Sequence, residues 1–376
     1  MFSKAAALFQ RQLDRGSFPG GQLVVRAQGE ELLNLSVGIA GGFRSDEGER
    51  IPVTDTTPFQ VMSASKPLVA FAIAALEDRG LVDVERPVSH YVPEFGRAGK
   101  SEITVLEVLT HRSGVIAPHL WESPALWPDW DRVQQEIWDA RPRHRRGTLA
   151  YHPYEFGWIL GEVVRRVAGQ PLDQFLTDVL PESLRPLRLR RDDNDKTVVA
   201  RSYWLGPKKL LLGGQDVAGT FEEKNNSPLT LTSLVPGASL TTPASTLALF
   251  YEMLLAGGTT RDGVRLIKSE TLERYLTANV TGYDRTLRSY LIIGRGFLLG
   301  WLWPHPYGWW DSRACVGHGG GFSTVVFGDR RTGAAIAMVT NGNRGLGDVF
   351  RRFVSLSTAV RRAVAATLAG HGKPNT

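Results

Sequence analysis

Ser63-Ala64-Ser65-Lys66, running straight into Pro67-Leu68-Val69-Ala70-Phe71-Ala72-Ile73-Ala74-Ala75-Leu76, is the stretch that decides how this chain is read. The apolar run is too uniform for a surface helix. It ends in Glu77-Asp78-Arg79-Gly80, with glycine where a helix commonly stops. A buried helix over 65–79 is predicted. Residues three apart on a helix share a face, so Ser63 and Lys66 point the same way at its N-terminal end. Pro67 suits that end, because a first-turn residue has no intrahelical partner for its N–H. A serine hydroxyl is a weak nucleophile until a neighbour takes its proton, and a lysine stripped of water is neutral enough to help. The same residues also describe a helix cap followed by a surface lysine, and this spacing alone leaves both readings open.

Three other segments extend the pattern. Tyr151-His152-Pro153 stands 88 residues after Ser63 and is followed by a helical pattern over 156–168. His318-Gly319-Gly320 lies near the C-terminus, while Leu109-Thr110-His111-Arg112-Ser113-Gly114 and Pro236-Gly237-Ala238-Ser239-Leu240-Thr241-Thr242-Pro243 lie between. In order and spacing these resemble the serine β-lactamase and penicillin-binding-protein superfamily, in particular class C β-lactamases and the related family VIII carboxylesterases. The resemblance spans about residues 10 to 365.

The resemblance implies an α/β (α+β) fold. One antiparallel sheet is built from both chain ends, flanked by helices, with a mostly helical domain inserted. Residues 1–80 and 150–376 would form the sheet domain and 81–149 the helical one, with the active site at their junction, where pockets commonly form. The residues agree with this outline. Strands are predicted over 22–26 and 32–37 around a turn at Gln28-Gly29-Glu30, and over 323–328 and 334–340 around 329–333. Helical patterns cover 103–110, 131–140 and about 347–368 as well.

Carried over by position, Ser63 becomes the nucleophile and Lys66 the group that holds its proton. Tyr151 is the third member: its phenol works as a base only if nearby positive charge lowers it, a charge Lys66 can supply, and the two are then one coupled acid–base unit. The backbone N–H groups of Ser63 and Gly321 form the oxyanion hole, and His318, Gly319 and Gly320 line the substrate. Two positions depart from the family pattern. Pro153 replaces an asparagine that orients the lysine and binds substrate amides. His318, only partly charged near neutrality, replaces the lysine that attracts a substrate carboxylate. Both departures favour an ester over a β-lactam.

His318-Gly319-Gly320-Gly321 also mimics the oxyanion loop of α/β-hydrolases, but that fold needs a G-x-S-x-G elbow and no serine here has it. The histidines show no metal-ligand spacing, and no metal or cofactor is implied. Cys315 is the only cysteine and reads as a small buried strand residue. The net charge of +6 concentrates in 141–146 and 185–191, Pro-containing stretches read as solvated loops without a nucleic-acid motif. The apolar patch over 5–9 is too short for a signal segment and no stretch is long enough to span a membrane, so a cytoplasmic enzyme without a membrane partner is expected. Trp121, Trp127, Trp130 and Trp138, with Trp301, Trp303, Trp309 and Trp310, offer flat walls for an acyl group or, alternatively, core and lid packing. The expected activity is ester hydrolysis through an acyl-enzyme on a small-molecule acyl substrate. An acyltransferase, a β-lactamase or D-alanyl peptidase, and a non-catalytic binding protein are the alternatives.

Overall fold

A computed structural model describes residues 2–192, 194–209, 211–212 and 215–371. Helix α1 (Ser3–Asp14) precedes strands β1 (Gly20–Ala27), β2 (Glu30–Gly41) and β3 (Ile51–Pro52). Then come α2 (Lys66–Asp78), α3 (Val105–Leu109), α4 (Trp130–Asp139), α5 (Glu155–Ala168) and α6 (Ala244–Leu255), with further helices and turns between. The chain returns to strand as β4 (Val280–Asp284), β5 (Ser289–Ile293), β6 (Leu298–Leu299), β7 (Cys315–Gly320), β8 (Thr324–Asp329) and β9 (Ala334–Thr340). Helix α7 (Ser355–His371) follows.

Among the described residues these nine strands form one antiparallel sheet in the order β3-β2-β1-β9-β8-β7-β6-β5-β4. Both chain ends meet at its centre, where Gly21 pairs with Thr340 and Ala27 with Ala334. The two-residue turn between β1 and β2 has φ of 54° at Gln28 and 80° at Gly29, the left-handed pair that matches the twist of a hairpin. Period-2 alternation sends β1 side chains to opposite faces. Val24 joins Val326, Ala337 and Val339 in a core with α2, α5 and α6. Leu23 and Val25 join Phe327, Ile336 and Met338 in a second core with Phe9 of α1 and Leu356 and Val360 of α7. Covering both faces explains why the central strands read as nearly unbroken apolar runs. Cys315 is a buried free thiol in the second core.

Helix α2 is buried from Lys66 through Leu76. It closes with Gly80 at φ +71°, the N–H of Leu81 on Leu76 O and that of Gly80 on Glu77 O, a Schellman end. The expected C-terminal helix is interrupted by a wide π turn over Phe350–Val354. There Arg352 is buried and donates to Phe322 O and Thr340 Oγ1, which ties the start of α7 to the loop after β7. The basic stretch 185–191 is not wholly solvated: Arg191 is buried, donating to Thr197 O and paired with Asp195.

Candidate active site

Before α2 the backbone makes one tight 3₁₀ turn, Met62–Ser65, entered through Met62 at φ +50°, a strained value for a residue with a side chain. Phe59–Gln60 pairs with Thr241–Thr242, and Val61 N–H donates to Leu240 O, so the segment 236–243 lies along the nucleophile turn. Helix α5 closes the third side. A methyl on Gly157 would stand 2.1 Å from Gly237 N, so only glycine lets the helix approach that backbone.

Lys66 is wholly buried, and its amine lies 2.7 Å from Pro153 O, 2.9 Å from Gly237 O and 3.2 Å from Ser63 Oγ. The two carbonyls can only accept, so two N–H bonds are committed to them. The third direction faces Ser63 Oγ: it holds a proton when the amine is charged and a lone pair when it is neutral. Burial pulls Lys66 down to about 7, against the opposing charge of buried Glu155. Near neutrality a large share of the lysine is a base aimed at the serine. Pro153 therefore keeps part of the role the absent asparagine side chain would have had, through its main-chain oxygen.

Tyr151 is also buried, hydrogen-bonded to Ser63, with its ring 4.9 Å from the Lys66 amine. The expectation that Lys66 lowers this phenol is corrected here. Burial pushes Tyr151 well up; the bond to Ser63 opposes that shift and the charge of Asp284 adds to it. Burial penalises phenolate and ammonium alike, so the pair rests as neutral phenol and partly neutral amine. In that state Tyr151 can give a proton and Lys66 can take one. Asp284 accepts the Tyr151 N–H at 2.7 Å and pins the segment to the end of β4.

The end of β7 rests on the nucleophile turn. A methyl on Gly320 would stand 1.9 Å from Val61 O, and one on Gly321 (φ +49°) would stand 2.5 Å from Met62 Cγ. Gly319 meets nothing nearer than Thr324 O at 3.6 Å. Gly320→Ala is therefore expected to force the strand off the turn, lowering Tm by several degrees and activity with it, while Gly319→Ala keeps the wild-type Tm. Thermal melts of both variants check this, and equal melting would remove the steric argument. His318 is buried and its Nδ1 donates to Gly319 O at 2.6 Å. Burial, with the charge of Lys66 second, holds its ring at about 3. The expected partial charge on His318 is corrected to a neutral imidazole.

The contacts that surround Tyr151 were not legible in the segments that carry them. His152 and His111 face each other, Nδ1 to Nδ1, at 3.3 Å. Val115 N–H donates to Ser113 Oγ, and the Ser113 hydroxyl lies 3.0 Å from His152 Nε2. His152 N–H donates to His111 Nδ1. The network thus assigns the protons to His152 Nδ1 and His111 Nε2. Burial holds His152 at about 3 and His111 well below its usual range. The His111 ring packs against Tyr151 at 4.5 Å and so braces the phenol. Glu155 accepts from Ala117 N, Trp121 Nε1 and Tyr154 N, which fastens the 117–121 segment beside the site. His111 and Gly237 lie in segments singled out by position alone; their contacts span 41 and 171 residues.

Of the tryptophans, Trp127 and Trp138 are buried, and Trp121 and Trp127 flank the Tyr154 ring at 6.0 and 5.7 Å. Trp303, Trp309 and Trp310 face solvent instead.

A model of the beta-lactamase family matches residues 5–358. The chain is 27% identical over 358 residues to the esterase/beta-lactamase LipL of Mycobacterium tuberculosis, covering 86% of this chain and 77% of that one. A penicillin-binding protein homologue from Caulobacter crescentus superimposes with a TM-score of 0.82 at 26% identity, over 96% of this chain and 97% of the other. A family VIII carboxylesterase superimposes at 0.79 and 23% identity, over 95% and 96%, and shares the fold.

Proposed function

This chain belongs to the beta-lactamase family, and from that footing we propose that it cleaves carboxylic esters through an acyl-enzyme on Ser63. The observation that carries the proposal is the aim of the Lys66 amine, two N–H bonds held by carbonyls and the third direction facing Ser63 Oγ. Neutral Lys66 takes the serine proton as Oγ bonds to the acyl carbon. The N–H groups of Ser63 and Gly321 receive the oxyanion. Tyr151 gives its proton to the departing alkoxide and regains one from Lys66, which leaves the amine neutral again. Water then repeats the sequence on the acyl-enzyme, releasing the acid and restoring Ser63.

His318, neutral and buried, supplies no cation for a substrate carboxylate, and Pro153 no side-chain amide for a peptide-like bond. Loss of a charged anchor typically costs ~2–5 kcal/mol, roughly 30- to several-thousand-fold. The name of the Mycobacterium tuberculosis relative joins both activities, so the comparison to make is kcat/KM for p-nitrophenyl butyrate against nitrocefin. The ester is expected to win by at least the lower of those factors, and a preference for nitrocefin would sink the reading. Turnover that appears only when an alcohol or amine acceptor is added would instead assign acyl transfer.

Tyr151→Phe removes the donor to the leaving group, and a loss of ~10²- to 10⁴-fold in kcat is expected. Combined with Lys66→Ala the loss should hardly exceed that of the worse single variant, because the two act on one proton. Fully additive losses would uncouple them.

A further inference from the structure

We propose that the loop joining β6 to β7 docks the protein onto an anionic lipid surface. Residues 300–314 carry Leu302, Trp303, Trp309 and Trp310, exposed by 53, 73, 49 and 62%. Exposed aromatic side chains this dense mark an interaction surface. They are held on a rigid frame. Tyr307 is buried against Phe327 at 4.8 Å, and His305 and Gly308 exchange backbone hydrogen bonds of 3.0 and 2.8 Å. From α7, Ser357 donates to Pro306 O, Thr358 Oγ1 accepts the Trp309 N–H, and Arg361 donates to the carbonyls of Trp310 and Asp311. A loop tied down at this many points presents its indoles to the outside instead of folding them inward.

Charge selects the partner. Arg313 and Arg331 share Asp311, and Arg361 is paired with Asp329. Arg362 is exposed, lies four residues past Thr358 and so on the same face of α7, and has no acidic partner among the described residues. Four arginines thus stand against two aspartates around the indoles, and α7 itself contains no Asp or Glu. Indole is amphipathic and settles at the headgroup level of a bilayer, where arginine meets lipid phosphate. A second copy of the same face would bring like charges together. None of the described helices is long and apolar enough to cross a membrane, and resting on one requires no such helix. The proposal departs from the expectation of a chain with no membrane partner, which rested on the lack of a spanning segment. The loop leaves the Cys315 end of β7, whereas Gly320 at the other end touches the nucleophile turn, ~17 Å along the strand. Docking and turnover of a soluble ester are therefore separable.

The test is flotation of the full chain with phosphatidylcholine vesicles, with and without about one-third phosphatidylglycerol. The wild type is expected to float with the anionic vesicles and to be released as salt is raised. Trp303→Ser/Trp310→Ser should float at least about tenfold less, while turning over p-nitrophenyl butyrate at the wild-type rate. That unchanged rate shows the variant is folded. Failure to float, equal flotation of the double variant, or a concentration-dependent dimer that the double variant abolishes would each overturn the proposal.

Discussion

Ser63→Ala is expected to lower kcat/KM for an activated ester by roughly 10⁴- to 10⁶-fold, the scale seen when a nucleophile is removed from a unit that works together. A fluorophosphonate should add its mass to the wild type and not to the variant. The fold should survive, because the Lys66 amine keeps its bonds to Pro153 O and Gly237 O without Oγ. Ser65, in the same turn, cannot stand in: it is fully buried in the packing of α2. Labelling of the alanine variant would mean that another serine is the nucleophile.

Lys66→Met should cost at least ~10³-fold in kcat/KM and should also change two pH dependences. In the wild type, activity should rise with pH through about 7, where the ammonium loses the proton that blocks it from accepting another, and then level off. Stability should follow the same group. Its folded pKa of about 7 lies below the ~10.4 of an unfolded lysine, so between these values the unfolded chain binds more protons and the fold gains stability as pH rises. The gain approaches ~1.4 kcal/mol per pH unit. Lys100, buried and lowered to about 8 by the same desolvation, adds its own slope to both proteins, so the difference between wild type and variant isolates Lys66. Parallel stability curves between pH 7 and 9 would mean that Lys66 stays charged in the fold, and the assignment of the base would fall with it.

The parts of the fold legible in the sequence are those set by local pattern. The run 66–76, the glycine at 80, and the hairpin runs around 28–29 and 329–333 all carry their signals within about fifteen residues. The Ser63–Lys66 pairing was legible for the same reason, although Ser63 sits in a 3₁₀ turn just outside the α-helix. What holds the Lys66 amine was not legible. Two of its three partners are main-chain oxygens of Pro153 and Gly237, and a carbonyl leaves no residue-type signature. Charge states were misjudged at Tyr151 and His318 because each depends on burial, which long-range packing decides. The tryptophans made the same point from the other side. Composition counted the indoles, but only the anchoring of Tyr307, Ser357 and Thr358 determined that Trp303 and Trp310 point outward.

The pairing of β1 with β9 at the centre of the sheet also dictates how the chain can be made. Gly21 and Thr340 are neighbours in the sheet, yet a ribosome adding ~5–20 residues per second emits them many seconds apart. During that interval β1 and β2 can form their hairpin, but the far side of β1, with Leu23, Val24 and Val25 at its middle, remains an unpaired edge of the kind that recruits other strands. The sheet therefore closes only late in synthesis, and such non-local pairing folds slowly. A chaperone that shields the first forty residues until β9 arrives would raise the yield of folded enzyme. A chain cut short before Ala334 should aggregate, however intact its catalytic residues.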